Sequence, residues 1–173
     1  YSDLEPYFDT NDSITGVSGI TGDPANPERS DRQTNPIPLG TLGEKIAKGF
    51  DNLGWHWWPS DSAIITQPYD GRQACNNCGP CDIGCSRKAK ASTDVTYWPK
   101  AINKGAILKT WSRVRAVTLS KTGLADGVEY YDRDGTLHKQ KAKSVVIASN
   151  GIGTPRILLN SHSSKFPTGL ANS

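Results

Sequence analysis

A short apolar run followed at once by a glycine turn and a helix start constrains the fold of this chain most. Val145 to Ala148 predicts a buried strand, and Asn150-Gly151-Ile152-Gly153 predicts the turn that follows it. Thr154 as N-cap and Pro155 at the first helical position predict a helix with apolar residues Ile157, Leu158 and Leu159. The sequence therefore predicts a strand-turn-helix unit here.

Such a unit places free backbone N–H groups and the positive end of a helix beside the carboxyl end of a strand, as in nucleotide-cofactor sites. The turn holds only part of a dinucleotide fingerprint, because Arg156 stands at the third glycine position. An ordinary strand-turn-helix junction explains the pattern equally well.

Four cysteines make the second distinctive pattern. Cys75, Cys78, Cys81 and Cys85 are all the cysteines of the chain and have the spacing C-x2-C-x2-C-x3-C. This equals the run of bacterial ferredoxins, except that Ser86 replaces the proline. The four are candidate metal ligands, as an iron–sulfur site with a three-iron cluster on three of them or as a zinc site. A redox dithiol and a structural loop without metal are the alternatives.

The remaining elements form a mixed pattern. From residue 1 to residue 40 we expect an extended covering segment, and from Thr41 to Leu53 a helix capped by Gly54. A short strand is expected at 63–66 and a helix at 94–104. Further strands are expected at 106–110, 113–120, 127–131 and 136–142, which would form a meander.

Composition excludes several classes of protein. The net charge of +3 is too small and too evenly spread to indicate a nucleic-acid partner. No apolar run approaches the roughly 20 residues of a membrane-spanning helix. The 173 residues include no Met and begin with Tyr1, so we expect the chain to be part of a longer protein.

Taken in serial order, these segments resemble the glucose-methanol-choline flavin oxidoreductases, in the branch of gluconate and related alcohol dehydrogenases. Tyr1 to Tyr7 followed by Gly16-Val17-Ser18-Gly19 is similar to the segment that leads into the family's substrate region. Tyr69-Asp70-Gly71-Arg72 with the four cysteines resembles its cysteine loop. Residues 142–161, AKSVVIASNGIGTPRILLNS, resemble its second signature.

The resemblance implies FAD as cofactor and an α/β (α+β) fold: part of a Rossmann-like FAD-binding domain with a β-meander, plus part of a substrate-binding domain. By position it implies that the backbone of Val114 meets the adenine. It also implies cofactor contacts from Ala148, Ser149, Asn150, Gly151 and Thr154. Asn150 departs from the family's Gly or Ser, and His162 stands in place of Gly. Residues 1–92 would be the substrate-domain and cysteine-loop segment, and 93–173 part of the FAD-binding domain.

The implied activity of the whole protein is oxidation of CH–OH groups in a small-molecule alcohol, sugar or sugar acid, by hydride transfer to the flavin. The chain contains neither a G-x-G-x-x-G motif nor a recognisable catalytic histidine, so no catalytic residue is assigned. Some relatives with cysteines in this region pass electrons through a three-iron cluster to an acceptor subunit. The alternatives are an electron-transfer or metal-binding module built on the cysteine loop, and a non-catalytic scaffold.

Overall fold

The computed structural model describes residues 2–172 and divides into two compact units, Tyr1–Ala106 and Ile107–Ser173. The first unit contains three α-helices: α1 (Glu5–Thr15), α2 (Gly40–Leu53) and α3 (Tyr97–Asn103). The second contains three strands and a helix: β1 (Arg113–Leu119), β2 (Ala125–Tyr131), β3 (Leu137–Lys141) and α4 (Asn150–Asn160). The mixed α and β class expected from the sequence is confirmed.

The first unit is held together by loops more than by regular structure. Ser18 and Ser62 exchange backbone hydrogen bonds of 2.8 and 3.0 Å, and the Ile65 N–H donates to the Ala89 carbonyl at 3.1 Å. Ser18, Ile65 and Ala89 are completely buried, so these loop crossings form the core. The strand predicted at 63–66 is wrong because this segment makes isolated bridges, such as Ile64 with Lys90, and no continuous ladder.

The extended segment predicted at the start of the chain is wrong, because helix α1 lies there. Pro6 lies in the first turn, where the missing proline N–H breaks no intrahelical bond, and Gly16 ends the helix with a left-handed φ of +72°. The prediction of α2 is confirmed, with Gly54 as the left-handed cap, although the helix begins at Gly40 and Thr41 does not cap it. Helix α3 is shorter than the predicted 94–104.

The second unit is an antiparallel meander in the order β1-β2-β3, as the turn residues predict. Four strands were predicted for this group, and the first of them is wrong because residues 106–110 form no strand. Helix α4 packs on β1 through Ile157, and the buried residues Ala116 and Val117 lie in β1. This packing forms the core of the unit.

The segment 145–148 is not a strand, in contrast to the prediction. Val146 is 88% exposed, and within residues 2–172 this segment has no neighbouring strand to pair with. Helix α4 begins at Asn150, so Pro155 lies inside the helix and Thr154 is not its N-cap. The Thr154 hydroxyl still accepts a hydrogen bond from the Ser149 N–H at 3.2 Å. None of the helices that the structure describes is long and apolar enough to cross a membrane.

Candidate functional site

The cysteine loop, residues 75–90, is fixed at both ends by backbone hydrogen bonds. The Cys75 N–H donates to the Ile65 carbonyl at 2.9 Å, and the Ile65 N–H donates to the Ala89 carbonyl at 3.1 Å. Inside the loop Lys90 Nζ donates to the Cys81 carbonyl at 2.8 Å. Residues 81–83 form a single 3₁₀ turn. The two backbone hydrogen bonds hold both ends of the loop at Ile65.

All four cysteines line one cavity of about 250 Å³. Cys78 is exposed and the other three are half-buried. Across residues 2–172, however, no three Cys, His, Asp or Glu side chains are arranged so that they could hold a metal ion. Over the described residues the structure gives no support to an iron–sulfur cluster, and the assignment of these cysteines as ligands stays a prediction.

The backbone that follows Cys85 shifts the pKa of its thiol. The backbone N–H of Lys90, followed by those of Ala89, Arg87 and Lys88, points to its sulfur and holds the pKa of the thiol below its ordinary value. Burial opposes this effect because it disfavours the charged thiolate. The net effect of these backbone groups is to favour the thiolate of Cys85.

Val114 lies near the start of β1 beside a recess of about 120 Å³ in the second unit. Its side chain is partly open, with the residue 37% exposed. The recess is also lined by Arg113, Arg115, Tyr131, Gly153, Arg156, Ile157 and Asn160. β1 is the edge strand of the sheet, so one side of its backbone is free of a neighbouring strand among the described residues. The adenine contact that the resemblance implies for Val114 stays a prediction, and sequence reasoning did not single out the arginines around it.

The other predicted cofactor residues lie just before α4 and in its first turns. Asn150 has a left-handed φ of +64°, a conformation that Asn tolerates better than most residues and that Gly adopts freely. The side-chain oxygen of Asn150 accepts the Gly151 N–H. Ala148, Ser149, Asn150 and Gly151 are all exposed, and of this stretch only Gly153 lines the recess beside Val114. Their contacts with a cofactor stay a prediction.

Arg72 is a buried residue that sequence reasoning did not name as a site residue. It is 5% exposed, and its Nη2 donates to the Thr15 carbonyl at 2.6 Å. Tyr69 donates through its hydroxyl to the Ser13 carbonyl at 2.8 Å, so the turn at residues 69–72 is tied to the end of α1. Its signal in the sequence was the segment Tyr69-Asp70-Gly71-Arg72, which the resemblance already singled out.

Each of the three histidines has a partner close to it in its own unit. His56 pairs with Asp23 at 2.8 Å, and His138 pairs with Asp132 at 2.6 Å. His162 contacts the Pro167 carbonyl through Nδ1 at 3.0 Å. Each is occupied in a local contact, and no nucleophile lies in any of these pairs.

Comparison with known proteins shows which family this chain resembles in sequence. The family model described as GMC oxidoreductase matches residues 34–166, which include the cysteine loop, the β-meander and α4. The chain is 46% identical to 2-methyl-1,2-propanediol dehydrogenase of Mycolicibacterium austroafricanum over 176 residues, which covers 100% of this chain and 32% of that protein. It is 32% identical to the fructose dehydrogenase large subunit of Gluconobacter japonicus, with the same two coverages.

A more distant relative is the gluconate 2-dehydrogenase flavoprotein of Pantoea cypripedii, which is 27% identical over 90% of this chain and 31% of its own length. The chain thus spans about a third of the length of these curated relatives. The names of the three proteins share an oxidation of hydroxyl-bearing small molecules.

Proposed function

Because the chain belongs to the GMC oxidoreductase family, we propose that the whole protein is an FAD-dependent dehydrogenase of CH–OH groups. The observation that carries the proposal is the match over residues 34–166 together with the recess at Val114, where the resemblance expects adenine. The electron-transfer module is not favoured, because the match extends over both units and not only over the cysteine loop. FAD, when bound, supplies the acceptor for a hydride from the substrate carbon.

The residues of this chain would bind and orient the cofactor. The backbone of Val114, on the open side of an edge strand, would contact the adenine. The exposed stretch 148–151, where α4 begins, would run along the cofactor, and the positive end of the helix would favour its phosphates. Arg113 and Arg156, which line the recess, supply positive charge for a molecule that carries two phosphates. We further propose that this second unit is part of a Rossmann-like FAD-binding domain.

The substrate is a small alcohol, sugar or sugar acid, in line with the diol, the ketose and the sugar acid in the relatives' names. We place residues 1–92 in the substrate-binding part and residues 93–173 in the FAD-binding part of the whole protein. The name of the fructose dehydrogenase large subunit implies a multi-subunit protein, and we propose an electron-acceptor subunit for this protein as well.

An absorption spectrum of the whole protein, purified without oxygen, tests the cofactor. We expect flavin bands that are released on denaturation and identified as FAD. A colourless, well-folded protein without flavin affinity would overturn the proposal. Iron and zinc analysis of the same sample decides the role of the cysteines: about three or four irons per chain would mean that the loop rearranges around a cluster and relays electrons. Flavin without metal would leave Cys75, Cys78, Cys81 and Cys85 structural.

Val114→Asp tests the adenine contact. A carboxylate beside the adenine would lose hydration without gaining a partner, so we expect FAD to bind more weakly, by about tenfold or more. Fluorescence titration of the deflavinated protein with FAD measures this directly. Leu124→Asp is the matched control, because Leu124 is 72% exposed in the turn at the far end of the same hairpin. Equal FAD affinity in the two variants would remove Val114 from the site.

A further inference from the structure

The first unit contains a second cavity, of about 430 Å³, which the proposed function does not use. This volume lies in the range of small-molecule binding sites. The cavity opens between the loop at residues 20–32 and the segment at 58–61. Its lining comprises Ile20, Thr21, Gly22, Asp23, Asn26, Pro27, Arg29, Arg32, Trp58, Pro59, Ser60 and Asp61. We call it the Trp58 cavity.

Of the three tryptophans at 55–58, only Trp58 lines this cavity. Its indole Nε1 donates to the Ile20 carbonyl at 3.0 Å, and its ring stacks on His56 with centroids 6.2 Å apart. His56 is itself held by Asp23 at 2.8 Å. Trp55 packs on Phe50 at 5.8 Å. A fixed aromatic ring is therefore present as one wall of the cavity, before any ligand binds.

The charges on the cavity wall cancel. Two carboxylates, Asp23 and Asp61, face two guanidinium groups, Arg29 and Arg32. Arg32 pairs with Asp61 and, at 3.0 Å, with Asp12 behind the wall, while Arg29 contacts Asp12 at 2.8 Å. A charged ligand would have to displace one of these ion pairs or meet a like charge, which is unfavourable in a partly enclosed site. A neutral ligand meets neither penalty.

The polar groups are of both kinds and are spread around the wall. Asn26 supplies an amide, Ser60 and Thr21 supply hydroxyls, and the Asp61 side chain is 43% exposed. Hydroxyl groups of a ligand both donate and accept hydrogen bonds, and can therefore use carboxylates, guanidinium groups and amides together. The C–H face of a carbon chain or ring packs well on an indole ring.

We propose that the Trp58 cavity binds a neutral polyhydroxylated molecule, such as a sugar or sugar alcohol, against the face of Trp58. The site lies within residues 1–92, which we place in the substrate-binding part of the whole protein, but its support is the geometry of the first unit and not the proposed FAD chemistry. Binding is read out without turnover, so the two proposals fail separately.

Hydrogen–deuterium exchange of the whole protein with and without D-sorbitol locates the binding. We expect sorbitol to slow exchange in peptides from residues 20–32 and 57–61, with saturable dependence on its concentration. Trp58→Ala should weaken this protection about tenfold, which corresponds to one lost aromatic wall. Trp55→Ala is the matched control, because Trp55 is 61% exposed and outside the cavity. Absence of local protection in the wild type, or equal loss in both variants, would overturn the proposal.

D-gluconate tests the charge argument without any mutation, because it has the chain length and most of the hydroxyls of sorbitol but carries a carboxylate. Weaker protection by gluconate than by sorbitol at the Trp58 cavity supports a neutral ligand. Stronger protection by gluconate would show that the site selects anions and would overturn the assigned ligand class. Trp58→Phe retains a ring and should keep part of the sorbitol effect, which provides a second variant if Trp58→Ala does not fold.

Discussion

One hydroxyl group joins α4 to β1 in the second unit. Ser161, 1% exposed, accepts the Val117 N–H at 2.8 Å and donates to the Ile157 carbonyl at 2.6 Å. Without this hydroxyl the Val117 N–H would lose its partner in a buried place. The resemblance had matched Ser161 to the family signature, and the structure gives the residue a physical role as the link between helix and sheet.

Ser161→Ala should destabilise the second unit. An unpaired buried N–H costs about 1–3 kcal/mol, and the alanine offers no replacement. We expect a lower free energy of unfolding and faster amide exchange in β1 and α4, measured on the whole protein by hydrogen exchange. Ser164→Ala, at an exposed position in the following loop, should change neither. Unchanged exchange in Ser161→Ala would mean that another group takes over the bond.

At the scale of elements, Glu129 ties the three strands of the meander together. Its carboxylate pairs with Arg115 of β1 at 2.9 Å and with Lys139 of β3 at 3.0 Å. The hydrogen bond from Lys139, and then the charges of Lys139 and Arg115, hold the pKa of Glu129 below its ordinary value against the opposing effect of burial. The ionised carboxylate therefore stabilises the sheet.

The sign of the resulting pH dependence follows from the lowered pKa. The stabilisation is complete above the ordinary pKa of a glutamate, about 4.3, and is lost as the pH falls through the lower folded value. We expect amide exchange in the meander, corrected for intrinsic rates, to accelerate below about pH 4.3. Glu129→Gln should flatten this pH profile, and Lys143→Gln, at an exposed residue beyond β3, should not. An equally steep profile in Glu129→Gln would rule out this ion-pair bridge as its cause.

Local signals in the sequence predicted the elements that local signals determine. Helix α2 has its apolar spacing and its terminal Gly54, and the meander has glycine turns that fold each strand onto the next. Helix α1 was missed because five prolines in residues 1–40 suggested an extended chain, although Pro6 sits where a helix tolerates proline. The strand at 145–148 was wrong because a strand requires a partner, which no local pattern supplies.

The candidate sites show the same limit. The spacing of the four cysteines placed them in one short loop and left their role open, and the structure brings them to one cavity. The recess beside Val114 forms because α4 packs on β1. This packing brings Arg156 close to Val114, although the two residues are far apart in the sequence. The Trp58 cavity likewise depends on how the loop at 20–32 folds against 58–61. Contacts of this kind follow from tertiary packing and are not encoded in local periodicity.

At the scale of the whole molecule, the residues that could contact FAD predict how well this chain binds FAD by itself. The recess at Val114 offers one contact region for FAD, but the 173 residues contain no G-x-G-x-x-G loop to cradle the pyrophosphate. Much of the affinity for a dinucleotide comes from N–H groups around its phosphates. We therefore expect the 173-residue chain, expressed alone, to lose FAD on gel filtration.

Comparison of the isolated chain with the whole protein measures this expectation. Both are mixed with excess FAD and passed over the same column, and the absorbance ratio of flavin to protein is read in each peak. The whole protein should elute with bound flavin, and the isolated chain without it, while circular dichroism shows that the chain has its helices and strands. If the folded chain retains one FAD per molecule, the recess at Val114 and the stretch 148–151 suffice for binding. The N–H groups of a pyrophosphate loop would then contribute far less to the affinity than we expect.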